Sequence, residues 1–236
     1  MNMPLNTSAD ICDPTEQARY NMVEQQIRPW NVLDEAVLEL LATVRREEFV
    51  PPAYQGAAFT DTQIPLNPSV EEAERLGQVM LAPRVDARML QDLQVQSTDR
   101  VLEIGAGSGY MAALLAARAE RVVSLEIVPE LAEFARENLR SAGVDNAEVR
   151  QSDGALDPIP DGPFDVIVLS GSVAEIPQRL LGLLRDGGRL GAFVGHMPMM
   201  RATFVRRQGD RYETTQPWDV VVPRLRHFPE PTRFKF

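Results

Sequence analysis

The chain has 236 residues, 44% of them hydrophobic and 25% charged, a balance that fits a folded globular protein and excludes wholesale disorder. Lys and Arg number 24 against 34 Asp and Glu, a net charge of −10 that argues against general affinity for nucleic acid or for an anionic membrane. The one cysteine, Cys12, permits no intrachain disulfide and fits a reducing, cytoplasmic setting; with no apolar h-region visible after Met1 no secretory signal is expected, and the longest apolar run, Tyr110 to Ala117, is too short to cross a bilayer.

Met1 to Cys12 reads as a frayed tail. Asp13-Pro14-Thr15-Glu16 places a capping carboxylate, a first-turn proline and a third-position acid in order, predicting a helix to about Ile27 with Pro29 as its stop. Asp34 opens a second helix with Val37, Leu38, Leu41 and Val44 on one face, and Pro51-Pro52 ends that stretch. Phe59 to Leu66 reads as short and extended. Ser69-Val70-Glu71-Glu72 is a capping box for a short acidic helix that closes at Gly77, and Pro83 to Leu93 reads as a further helix.

Beyond Asp99 strands and helices alternate. Strands are predicted at Arg100 to Ile104, Arg121 to Ile127, Ala147 to Gln151, Phe164 to Ser170 and Arg189 to Val194. Helices fall at Ser108 to Ala119, Pro129 to Ala142 and Ile176 to Arg185, the last followed by Gly187-Gly188. This alternation predicts an α/β fold with a Rossmann-like, doubly wound, mostly parallel sheet. The Val-Ile-Val-Leu run after Asp165 predicts a strand buried on both faces. Ala202 to Arg207 and Arg211 to Thr215 flank Gln208-Gly209-Asp210 and read as an antiparallel hairpin, with a possible further strand at Asp219 to Leu225. The predicted division is a helical segment with the substrate loop over residues 1–98 and a cofactor-binding core with the C-terminal hairpin over 99–236.

The stretch Glu103-Ile104-Gly105-Ala106-Gly107-Ser108-Gly109 ends a strand and begins a helix. Its glycines permit a tight turn and close ligand approach, and the helix start offers unpaired N–H groups. The dinucleotide fingerprint G-x-G-x-x-G would need a glycine where Tyr110 stands; the spacing here is G-x-G-x-G, similar to the first motif of class I S-adenosylmethionine methyltransferases. Glu126 ends the next strand about 20 residues on, where a carboxylate accepts both hydroxyls of a ribose. NAD would use the same geometry, so Glu126 alone does not separate the cofactors. Asp153, in Ser152-Asp153-Gly154, is placed to bond an adenine amino group, with an ordinary Asp-Gly turn as the alternative. Glu103 resembles the acid such enzymes use near the methionine amino group. The cofactor-binding set is thus Glu103, Gly105, Ala106, Gly107, Gly109, Glu126, Ile127, Asp153 and Gly154.

From Met22 to Gly195 the chain resembles the protein-L-isoaspartate O-methyltransferases. The resemblance rests on Met22-Val23-Glu24-Gln25, Arg46 to Pro51, Tyr54 to Asp61, Ile64-Pro65-Leu66, Gly77-Gln78, the glycine turn with Tyr110, Ser152-Asp153-Gly154, Phe164 to Ile167, and Asp186-Gly187-Gly188-Arg189-Leu190 through Val194-Gly195. It implies S-adenosylmethionine as cofactor and methyl transfer to the free α-carboxylate of an isoaspartyl residue in damaged protein. It also implies an N-terminal helical segment and C-terminal strands added to the methyltransferase sheet. One departure stands out. Where the family reads Gly-Gln-Thr-Ile-Ser, this chain has Gly77-Gln78-Val79-Met80-Leu81, so the threonine position is Val79, the catalytic-site serine position is Leu81, and neither donates a hydrogen bond. Additional residues within Asn67 to Leu76 precede this loop.

The substrate set read from this region is Asp61, Gln78, Val79, Leu81 and His196, with no catalytic residue assigned. His196 follows a strand's carboxyl end, where sites form in open sheets, and a plain loop histidine is its other reading. Arg84 suits a bidentate carboxylate contact, with a solvated helix face as the default. The C-terminal arginines Arg206, Arg207, Arg211, Arg224 and Arg226 read as a solvated hairpin, and His227 shows no partner in sequence. Met197, Met199 and Met200 read as packing or covering the cleft. Two histidines and one cysteine give no metal-ligand spacing. The expected acceptor is an isoaspartyl protein or peptide; a small-molecule acceptor, more apolar because of Val79, Met80 and Leu81, and a non-catalytic cofactor-binding module are the alternatives.

Overall fold

The computed structural model of the chain describes residues 13–231. The tail at 1–12 lies outside them. Asp13 caps helix α1 (Pro14–Asn21) by accepting from the Thr15 N–H, as its sequence implies. The predicted helix to Ile27 changes winding on the way: Met22–Ile27 forms a π turn and Arg28–Trp30 a 3-10 turn, which ends at Asn31 in the left-handed region. Pro29 sits in the first positions of that last turn, where its missing N–H leaves no bond unmade. Asp34 caps α2 (Glu35–Thr43), which buries Val37, Leu38, Leu40 and Leu41.

Phe59 to Leu66 is extended only at β1 (Ile64–Pro65), which pairs antiparallel with β2 (Val79–Met80), Pro65 opposite Val79. Pro65 does not end the bonding, since the Leu66 N–H donates to the Gln78 carbonyl (2.8 Å). Between them lies α3 (Val70–Leu76), capped by the Ser69 hydroxyl and closed at Gly77. α4 (Pro83–Leu93) buries Val85, Ala87, Met89, Leu90 and Leu93.

The expected doubly wound sheet is the one observed. Strands β3 (Arg100–Ile104), β4 (Arg121–Glu126), β5 (Ala147–Gln151), β6 (Phe164–Val173), β7 (Leu184–His196), β8 (Met199–Gln208) and β9 (Arg211–Asp219) stand in the order β5-β4-β3-β6-β7-β8-β9. The first five are parallel, and β8 and β9 add an antiparallel ribbon. Residues alternate between the two faces. Val101, Val166 and Val168 join the core that also holds the N-terminal helices, α5 (Tyr110–Ala116) and α6 (Pro129–Ser141). Leu102, Ile104, Ile167 and Leu169 join the second core, with Phe164, Leu184 and Leu190. Both faces of the central strands are therefore dry, which is why β3 and β6 read as continuous apolar runs.

Three further predicted elements differ. The helix after the glycine turn starts at Tyr110, because Gly109 holds a left-handed φ of 84° that excludes it from the helix. The helix predicted at Ile176 to Arg185 is a single turn, α7 (Gln178–Leu181), and Leu184 to Gly188 belongs to β7 instead. Leu184 is fully buried opposite Phe164, and a register shift on β6 accommodates the extra residues. The strand predicted at Asp219 to Leu225 is absent past Asp219. Residues there make one parallel bridge, Ser172 with Arg224, through the Ser172 N–H to the Pro223 carbonyl (2.7 Å) and the Leu225 N–H to the Ser172 carbonyl (2.9 Å). This carries the segment from Pro223 to Phe228 back across the carboxyl ends of the parallel strands.

Candidate active site

At those carboxyl ends lies a crevice walled by the glycine turn, the end of β4, the Ser152–Gly154 turn, the Gly77–Val79 loop and the returning C-terminal segment. The β3–α5 turn is tied to β4 by the Gly105 and Ala106 N–H groups, which both donate to the Leu125 carbonyl (2.8 and 3.2 Å). Gly107 (φ 54°) lies in the left-handed region, and a Cβ there would stand 3.2 Å from Leu66.

Glu126 lies at the centre of this wall and is 6% exposed. Its Oε2 accepts from the Gly107 N–H (2.9 Å) and its Oε1 from the Val128 N–H (3.0 Å). Two backbone donors therefore fix the carboxylate before any ligand arrives, and each oxygen keeps a lone pair for a ligand hydroxyl. Ile127 and Val128 line the crevice beside it. Asp153 and Gly154 line the far end. The Asp153 Oδ1 accepts from the Ala155 N–H (2.9 Å) and the Leu156 N–H (3.3 Å), and its Oδ2 meets the His227 Nδ1 at 2.5 Å. A Cβ on Gly154 would lie 2.5 Å from the Ile104 Cγ2, so only glycine keeps that end open.

The other members of the cofactor set lie behind the wall. Glu103 is fully buried, with its carboxyl held by the hydroxyls of Ser124 (2.6 Å) and Ser170 (2.7 Å). Burial pushes its pKa up to about 7, against the pull of those two hydrogen bonds. Ser170 reaches the crevice and Glu103 does not. Gly109 packs against Ala135 of α6, where a Cβ would stand 3.1 Å from the Ala135 carbonyl oxygen, so it shapes the turn from behind. Ala106 lines a smaller adjoining cavity with Leu81, Asp86, Tyr110 and Met111. Beneath it Arg46, fully buried, donates to the Leu81 carbonyl (2.9 Å) and sits 5.4 Å from the Tyr110 ring centre. Burial also lifts the Asp86 carboxyl to about 7, although the Arg46 charge opposes it.

The substrate set divides. Gln78 and Val79 line the crevice, and Val79 and Leu81 line the smaller cavity. The Gln78 amide oxygen accepts from the Asn67 amide (3.0 Å), which ties the loop to the residues before α3. Asp61 pairs with Arg84 and lines neither cavity. Arg84 in turn stacks over Trp30, its guanidinium 4.4 Å from the ring centre, so the solvated helix face expected for it is replaced by a cation–π and ion-pair bracket. His196 lines an open groove beside the crevice, where its Nδ1 faces Arg224 (3.1 Å) and Glu230 (3.6 Å). Met200 is buried, while Met197 and Met199 are exposed.

The C-terminal segment is the part that sequence reasoning missed. Arg224, Leu225, Arg226 and Phe228 all line the crevice, so the hairpin expected to hold Arg224 and Arg226 in solvent ends before them. His227 has a partner after all in Asp153. Pro223, which breaks a strand, was the local signal. Among the described residues no group of three metal-ligating side chains occurs, and no helix is long and apolar enough to cross a membrane.

A doubly wound sheet with a G-x-G-x-G turn after its first parallel strand, an acid closing the second and an antiparallel ribbon at one edge has the fold of a class I methyltransferase. The family model for Protein-L-isoaspartate(D-aspartate) O-methyltransferase (PCMT) matches residues 17–222. A Methanoculleus marisnigri protein-L-isoaspartate O-methyltransferase is 42% identical over 203 residues, covering 86% of this chain and 88% of the relative. One from Herpetosiphon aurantiacus is 35% identical over 228 residues, covering 94% and 98%. The chain therefore belongs to the protein-L-isoaspartate O-methyltransferase family, whose cofactor is S-adenosylmethionine. The fold agrees with a Plasmodium falciparum structure described as a beta-aspartate methyltransferase (PCMT) in complex with S-adenosyl-L-homocysteine, at a TM-score of 0.74 and 20% identity over 88% of this chain and 98% of that one.

Proposed function

We propose that this chain methylates the free α-carboxylate of isoaspartyl residues in proteins or peptides, in the cytoplasm, with the cofactor lying along the crevice from Asp153 to the glycine turn. The observation that carries this is the Glu126 carboxylate, fixed by two backbone N–H groups on the crevice wall with acceptor capacity to spare. A ribose diol fits that arrangement, and Asp153 at the far end suits an adenine amino group. Residues 99–236 supply most of this cofactor half, and the loop around Gln78, Val79 and Leu81 in 1–98 closes it on the acceptor side.

When bound, S-adenosylmethionine supplies a methyl group on a sulfonium centre. The acceptor carboxylate is ionised at neutral pH and attacks with a lone pair, so no general base is needed. The protein's part is to position the acceptor oxygen and to keep water away. Val79, Leu66 and Leu225 give the crevice apolar walls for that purpose. Labelled methyl transfer to an isoaspartyl peptide, but not to its aspartyl twin, is the expected outcome. No transfer at saturating cofactor would overturn the proposal. A second reading, a smaller and more apolar acceptor, draws support from Val79 and Leu81, which line the adjoining cavity without a donor. Transfer to such acceptors with none to the peptide selects it.

A further inference from the structure

A local cation favours holding an anionic acceptor in a chain of net charge −10, and in the loop from Gln78 to Leu81 the one side-chain donor is the neutral Gln78 amide. Two cations line the crevice, Arg224 and Arg226, and both also line the open groove that runs on from it past His196 and Met197. The two walls share Leu76, Gly77, Arg224 and Arg226, so this is where the groove meets the cofactor cleft.

The two arginines are engaged differently. Arg224 is committed to the Gly195 carbonyl (2.8 Å), the His196 Nδ1 (3.1 Å) and the Glu230 carboxylate (2.9 Å). Arg226 makes one hydrogen bond, to the Leu76 carbonyl at 3.2 Å, and among the described residues no carboxylate lies within 4.0 Å of it. Its backbone is pinned on both sides. Leu225 fits against the glycine turn, its Cδ2 3.0 Å from where a Gly105 Cβ would be, and His227 meets Asp153. The guanidinium is thus held at the junction, partly buried, with donors to spare.

We propose that Arg226 grips the carboxylate to be methylated as it enters from the open groove, which makes this arginine the acceptor-binding residue of the reaction proposed above. One carboxylate oxygen rests on the guanidinium and the other keeps its lone pair for the methyl group. The C–O bond forms as the C–S bond breaks, sulfur takes the electron pair, and no proton moves. Methylation removes the acceptor's negative charge, so the ion pair is lost and the ester is free to leave.

The test is steady-state kinetics on an isoaspartyl peptide with Arg226→Ala and Arg226→Lys, alongside calorimetric titration of S-adenosyl-L-homocysteine and thermal melts. Arg226→Ala is expected to raise KM for the peptide by about 10- to 100-fold, the loss of one charge-assisted contact, and to leave affinity for the homocysteine product within about twofold. Arg226→Lys is expected to recover part of the KM, because the charge returns without the planar fork. A wild-type KM in Arg226→Ala, or a product affinity that falls in step with it, overturns the assignment. Failure of the unaltered enzyme to methylate the peptide instead strikes the reading on which the assignment rests, and the two results are told apart by the wild-type control.

Discussion

Replacing Glu126 by Gln tests the cofactor half of the site most directly. The carboxylate accepts from Gly107 and Val128 at 2.9 and 3.0 Å and, on the proposed reading, from two ribose hydroxyls. An amide of the same shape presents one oxygen and one NH2 group. Its NH2 faces a backbone N–H that has lost its acceptor, and it cannot accept from the hydroxyl beyond. The two weakened ligand contacts, each worth about 1.5–3 kcal/mol to a charged group and less to an amide oxygen, give a loss of ~2–4 kcal/mol in cofactor binding. That is a roughly 30- to 1000-fold rise in Kd. The protein itself loses about 1 kcal/mol from the orphaned N–H. Titration of S-adenosyl-L-homocysteine into wild type and Glu126→Gln, with melts to show that the variant is folded, measures both. An affinity within about threefold of wild type would mean that this carboxylate does not hold the sugar.

Three other outcomes follow from the same geometry. Gly107→Val puts a branched side chain at φ 54° with Leu66 only 3.2 Å from its Cβ, so binding of the cofactor is expected to be lost along with ~1–2 kcal/mol of stability, read by calorimetry and denaturant unfolding; unchanged affinity counts against the pocket. Leu81→Ser is expected to keep cofactor affinity, since Leu81 lines the smaller cavity and not the crevice, while losing ~2–4 kcal/mol of stability from a nearly buried leucine; a large loss of affinity in calorimetry refutes the division of the site. Glu103→Gln addresses the raised carboxyl. The folded protein holds that proton up to about 7, well above the ordinary range of a glutamate carboxyl, so between the two the native state binds the extra proton and wild type loses stability as pH rises through that window. The Glu103→Gln melting temperature, measured from pH 4 to 8, is therefore expected to gain on wild type across the window and level off above it. A difference that does not vary with pH shows that Glu103 ionises normally.

The parallel sheet was legible because its central strands are apolar on both faces and alternate with helices, and the N-terminal helices because they open on marked caps, Asp34 and Ser69. The place of Glu126 on the crevice wall was legible because an acid that ends a parallel strand lies at the carboxyl edge of the sheet, where such crevices form. Glu103 was placed correctly along the chain, yet its depth was not readable: strand alternation puts Glu103 within the sheet, and its proximity to Ser124 and Ser170 comes from register with β4 and β6. Arg84 and Asp61 are 23 residues apart, and nothing local announces their pairing. The same holds for Arg226. Its role depends on a single bridge at Ser172 that turns the chain back, and a basic tail with a proline carries no sign of its destination.

The crevice takes one of its walls from residues 223–228, which the ribosome delivers long after the glycine turn and Glu126. A nascent chain can assemble the parallel strands early and still present only a half-open trough to the nucleoside. Formation of the whole crevice thus awaits synthesis of residues 223–228, and fragments released by premature termination before Pro223 would expose the Gly105 and Gly171 backbone that Leu225 normally covers. Quality-control proteases and chaperones that probe for bare backbone and apolar edges would meet such fragments at the very place where the finished enzyme keeps its ligand.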